Sequence, residues 1–234
     1  MALGETLRNV ERTGLIKEEI SPLSMLYDSW RKAKTDAFLK EHRINVNINN
    51  SPERGLIVAT HPTIWDSILW RKALPKSYHA VGAPALKKTG IDWFDHEIAN
   101  KISHMIPVYK GDERRQKTYE EIASLVRHNP VVFNPTGFSS ASNELNEVEM
   151  IKVGGIIKIW RETGGNLSLI PAVINIDTQI KQDGTLLDGS GVEIKVGSPL
   201  KIEDIDFWAE HVDSNELKSR IYQAWKSIGV INET

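Results

Sequence analysis

From residue 55 onward the apolar residues fall into short runs: GLIVAT (55–60), YHAVGA (78–83), MIPVY (105–109), PVVFN (130–134), LSLIPAVINI (167–176) and GVEIKVG (191–197). Each is rich in β-branched residues and bounded by Gly, Pro or Asn, which is the signature of a strand. Between most of them the pattern lengthens to helical spacing, over 62–74, 92–103, 112–127 and 148–163. Buried strands alternating with helices predict an α/β fold: a mixed, largely parallel sheet with helices on both faces. The tail repeats Leu217, Ile221, Trp225 and Ile228 at helical spacing, with Asp213 or Ser214 placed to cap its start and Gly229 placed to end it.

The first 43 residues read as a helical annex, leaving 44–234 as the α/β domain. In PLSMLYDSWRKAKTDAFLKEH, Leu23, Leu26, Trp30 and Ala33 share one face, and Arg31, Lys32, Lys34 and Lys40 lie mostly elsewhere. Such a helix either rests at a lipid interface with Trp30 among the headgroups or packs on the core with its basic face in water.

Composition narrows the chemistry. The 234 residues carry a net charge of -2 with His neutral, so nothing points to nucleic acid as a partner. There is no cysteine, which removes disulfides, thiolate metal sites and a Cys nucleophile together. The opening MALGETLRNVERTG is charged where a secretory signal needs an apolar core, and no stretch approaches the roughly 18 apolar residues of a membrane span. The expected location is therefore the cytoplasm, with peripheral contact at a membrane face.

In open α/β sheets ligands bind where strands end. The first such loop, ATHPTIWDSILW (59–70), places Asp66 five residues after His61. Within one helix that spacing leaves the side chains about 140° apart. The pair meets if His61 lies outside the helix and Pro62 takes the first helical position. Asp66 then fixes the imidazole tautomer and leaves the other ring nitrogen as a base. The second loop, MIPVYKGDERR (105–115), puts Lys110, Arg114 and Arg115 near a positive helix start, which suits an anion. In the third, VVFNPTGFSSAS (131–142), Gly137 permits close backbone approach to a ligand. Ser139 and Ser140 there lack a nucleophile-elbow pattern. Pro171 interrupts an apolar strand, so a bulge or a sheet edge is expected.

In order and separation these pieces resemble the glycerolipid acyltransferase family, whose best-known members are glycerol-3-phosphate and lysophosphatidic acid acyltransferases. Its His-x-x-x-x-Asp block is similar to His61-Pro62-Thr63-Ile64-Trp65-Asp66. Its Ile-Pro-Val-x-Arg strand resembles Ile106-Pro107-Val108-Tyr109-Lys110. Its Phe-Pro-Glu-Gly-Thr-Arg-Ser block resembles Asn134-Pro135-Thr136-Gly137-Phe138-Ser139-Ser140, and its late strand Pro resembles Pro171. Its Lys-x-Gly helix is similar to KVGGIIKIW (152–160). The resemblance spans roughly residues 50–200. Thr136 and Ser139 stand where the family has Glu and Arg, so it speaks for the reaction type more than for the acceptor.

The resemblance implies transfer of a fatty acyl group to a hydroxyl of a lysophospholipid, glycerol phosphate or related lipid. The donor is acyl-CoA or acyl carrier protein, a co-substrate, and no metal or other cofactor is needed. His61 and Asp66 become the catalytic pair, and Lys110, Pro135, Thr136, Gly137 and Ser139 the substrate-binding residues. Backbone N–H groups near Gly137, or at the helix start after His61, are the candidates to stabilise the oxyanion. The competing readings are a lipid- or acyl-binding protein that kept the fold without the catalysis, and an esterase using Ser139 or Ser140.

Overall fold

The computed structural model describes residues 22–74, 78–82, 105–108, 112–137, 140–142 and 148–229. Among these residues, seven strands form one sheet: β1 (Asn45–Ile48), β2 (Gly55–Ala59), β3 (His79–Gly82), β4 (Met105–Pro107), β5 (Pro130–Phe133), β6 (Leu169–Ile176) and β7 (Gly191–Val196). Their order is β1-β7-β6-β2-β5-β3-β4. The five strands from β6 to β4 are parallel, whereas β7 runs antiparallel to β6 and carries β1 parallel to itself. The sheet is mixed and largely parallel.

Helices cover both faces: α1 (Pro22–Glu41), α2 (Asp66–Ala73), α3 (Asp112–Leu125), α4 (Gly154–Glu162) and α5 (Ser214–Ser227). Strand β2 shows why. All five of its residues are buried, with Leu56 and Val58 packed among α3, α4 and α5, and Ile57 and Ala59 packed against α1 and α2. A strand covered twice must be apolar at every position. The tail helix follows its sequence closely. Asp213 accepts from the Asn215 and Glu216 N–H groups, Gly229 takes a φ of 87°, and Leu217, Ile221 and Trp225 are fully buried. Such a cap is worth about 1 kcal/mol.

Four expectations change. Strand β1 was not legible, because NVNI is four residues of alternating Asn and half-buried aliphatic side chains at the sheet's margin. Pro171 makes neither a bulge nor an edge. It precedes the β6–β7 ladder, which begins at Ala172 opposite Val196, so its missing N–H falls where pairing ends. On α1 the packed residues are Thr35, Phe38 and Leu39, while Trp30, 54% exposed, and Ala33 face solvent. Phe38 meets the Trp65 ring edge-on at 4.9 Å. Finally, the segment expected as one helix over 148–163 is a 3-10 turn (Val148–Met150) followed by α4. The helix expected at 92–103 lies outside the described residues. No described helix is long and apolar enough to cross a membrane.

Candidate active site

The parallel strands end together at one edge, and β2 and β5 are neighbours there. Residue 61 and the turn at 134–137 are therefore brought side by side by topology alone. A backbone bond fastens them: the Ser140 N–H donates to the His61 carbonyl at 2.8 Å.

His61 and Asp66 do meet, but not through the expected helix start. Pro62 is not helical; α2 begins at Asp66 itself. Residues 61–65 form an irregular loop in which the N–H groups of Ile64 and Trp65 find partners outside any helix. The Ile64 N–H donates to the Gly184 carbonyl at 3.1 Å, and the Trp65 N–H to the Thr63 hydroxyl at 3.2 Å. This loop folds the imidazole back over the helix start. Nδ1 of His61 lies 2.6 Å from Oδ2 of Asp66.

Asp66 is 2% exposed, and its Oδ1 has no hydrogen-bond partner among the described residues. Burial raises Asp66 from 3.8 to about 6. The hydrogen bond and charge of His61, and more weakly the Thr63 backbone N–H, oppose that rise. The His61 side chain keeps 20% of its surface exposed. With Nδ1–H given to Asp66, Nε2 is left as the lone-pair nitrogen.

The third loop divides. Pro135 and Thr136 are buried and shape the turn, while Gly137 is exposed with a φ of 78°, a conformation that favours glycine. Lys152 flanks this turn. Its N–H donates to the Pro135 carbonyl at 2.9 Å, and its Nζ lies 3.9 Å from where a Cβ on Gly137 would sit. The Lys-x-Gly pattern marked this stretch in the sequence without giving the lysine a role. Lys110 and Ser139 lie outside the described residues. Arg114 and Arg115 are in the first turn of α3.

Several candidate donors, and the Ser140 hydroxyl, are already hydrogen-bonded within the protein. The N–H groups of residues 64–66 go to the Gly184 carbonyl, the Thr63 hydroxyl and the Thr63 carbonyl, and that of Gly137 bonds the Asn134 carbonyl at 3.1 Å. These four N–H groups are therefore occupied. The Ser140 hydroxyl donates to the Ser142 carbonyl at 2.9 Å and lies 3.5 Å from that of His61, so it is tied into the turn rather than to the ring. Among the described residues no three His, Asp or Glu side chains group as metal ligands.

No protein-family model matches the sequence, and no curated protein matches it. Among solved structures, the 1-acyl-sn-glycerophosphate (LPA) acyltransferase PlsC from Thermotoga maritima superimposes with a TM-score of 0.53. It is 16% identical, and the match covers 87% of this chain and 84% of that one. This chain shares the fold of that acyltransferase.

Proposed function

We propose that this chain is an acyltransferase that moves a fatty acyl group from a thioester to a lipid hydroxyl. The observation that carries the reading is the 2.6 Å contact between His61 Nδ1 and the buried Asp66 carboxyl, set at the strand ends of a fold shared with a solved acyltransferase. Nε2 of His61 takes the proton of the acceptor hydroxyl as its oxygen attacks the thioester carbonyl carbon. The C–S bond then breaks, and the thiolate leaves with the proton that His61 held. Acyl-CoA or acyl carrier protein is the donor, and a lysophospholipid, glycerol phosphate or related lipid the acceptor. Gly137 lets an anionic group approach the turn, where Lys152 is at hand. Lys110 and Ser139 keep the binding roles that the motif order suggests, with Pro135 and Thr136 supporting the turn beneath. The exposed Trp30 on α1 rests against lipid at the cytoplasmic face.

The direct experiment is His61→Ala with labelled acyl-CoA and lysophosphatidic acid. Turnover should fall about two to four orders of magnitude in a folded variant. Unchanged transfer ends the proposal. One observation favours a second reading, a lipid- or acyl-binding protein: the N–H groups of residues 64–66 and of Gly137, among the candidate oxyanion donors, are engaged in hydrogen bonds within the protein. Acceptor-dependent consumption of the thioester separates the two.

A further inference from the structure

The irregular loop between His61 and Asp66 has no helical ladder of its own, so something else must hold it. Thr63 lies at its centre and is fully buried. Its hydroxyl donates to the Gly184 carbonyl at 2.6 Å and accepts from the Trp65 N–H at 3.2 Å. The same Gly184 carbonyl receives the Ile64 N–H at 3.1 Å, so one oxygen anchors two consecutive residues. The Thr63 carbonyl faces the Asp66 N–H at 3.4 Å.

Gly184 belongs to the connection between β6 and β7, 121 residues from Thr63. That connection is built to be stiff. Ile180 bridges Leu186, the Lys181 N–H donates to the Thr185 carbonyl at 2.9 Å, and the Gly184 N–H returns to the Lys181 carbonyl at 2.8 Å. At its tip Asp183 Oδ1 accepts from both the N–H and the hydroxyl of Thr185, at 2.9 and 2.7 Å. Gly184 holds a φ of 80° and Leu186 is fully buried beneath it.

We infer that Thr63 is a positioning residue for the His61–Asp66 pair, docked on the Gly184 carbonyl of the β6–β7 connection. The inference rests on the catalytic reading of that pair. Thr63 touches no substrate; it fixes the backbone from which ring and carboxyl are aimed at each other. A serine keeps the hydroxyl, whereas a valine puts a methyl against a buried carbonyl and leaves the Trp65 N–H without its acceptor.

The test compares Thr63→Val and Thr63→Ser by steady-state kinetics and by ring ¹⁵N NMR of His61 in the full chain. In Thr63→Val, kcat should fall about 10- to 100-fold, the scale of a small misalignment of catalytic groups, with KM within about twofold. The ring ¹⁵N shifts should move from one fixed Nδ1–H tautomer toward a mixture, and Thr63→Ser should restore both readouts. Unchanged ring shifts in folded Thr63→Val, or a serine variant as impaired as the valine one, overturn the inference. If Thr63→Val does not fold, Asp183→Ala loosens the exposed tip instead, and the same spectral change decides. A wild-type chain that transfers no acyl group refutes the functional reading, and the ring shifts alone then judge the positioning.

Discussion

Asp66→Asn sets the activity of the site against the stability of the fold. Burial raises the Asp66 carboxyl from 3.8 to about 6, while an unfolded chain ionises it near 3.9. Between those values the folded protein holds a proton that the unfolded chain has released. Folded-state stability from this group is therefore full below about pH 4 and is lost as pH rises through about 6. At about 1.4 kcal/mol per pH unit, the loss amounts to about 3 kcal/mol. Asparagine cannot ionise and escapes it. Its amide instead meets the place where Oδ1 has no partner among the described residues, an unmatched group costing about 1–3 kcal/mol.

The variant should consequently be the less stable protein at pH 4 by about 1–3 kcal/mol and equal or more stable at pH 7. Urea unfolding of both proteins at several pH values from 4 to 7.5 measures this. The quantity to follow is the difference between them, which should climb by about 3 kcal/mol across the window. A difference that stays level with pH means the carboxyl is neither as buried nor as raised as the geometry requires. Turnover should move the other way, dropping on the order of 10³- to 10⁴-fold above pH 6, as for orienting carboxylates whose loss frees the wrong imidazole tautomer. In the wild type, protonation of Asp66 below about pH 6 should produce an acid limb in kcat/KM.

Two further outcomes follow from the surface of the site and of α1. Lys152→Met should raise KM about fivefold for an anionic lysophospholipid, the scale of one exposed charge contact, and leave a neutral monoacylglycerol unaffected; equal effects on both remove the lysine from acceptor binding. Trp30→Ala should lower the fraction of protein that floats with anionic phospholipid vesicles, because the exposed indole is suited to the headgroup layer. Undiminished flotation moves the membrane contact elsewhere.

What the sequence disclosed and what it withheld divide along the range of the interactions. The tail helix was legible because its cap, its apolar stripe and its terminal glycine all lie within 17 residues, from Asp213 to Gly229. The candidate site was legible as chemistry for a topological reason. His61 and the 134–137 turn follow two parallel strands, and once β2 and β5 are neighbours their downstream ends must adjoin. Strand β1 was hidden because what makes it a strand is β7, whose Gly191 pairs with Asn45. The start of α2 was misplaced for the same reason. Pro62 satisfies the local rule for a first helical residue, yet the Gly184 carbonyl and the Thr63 hydroxyl claim the N–H groups that a helix would have left to its first turn. A carbonyl is present at every residue and has no sequence signature, so a motif can announce its imidazole and its carboxylate but not the oxygen that aligns them. This is why the spacing of five, unfavourable within a helix, still yields a 2.6 Å contact. The loop is bent by a partner 121 residues away in sequence, on the connection that leaves the neighbouring strand β6, and the same partner supplies the stiffness that the pair's chemistry requires.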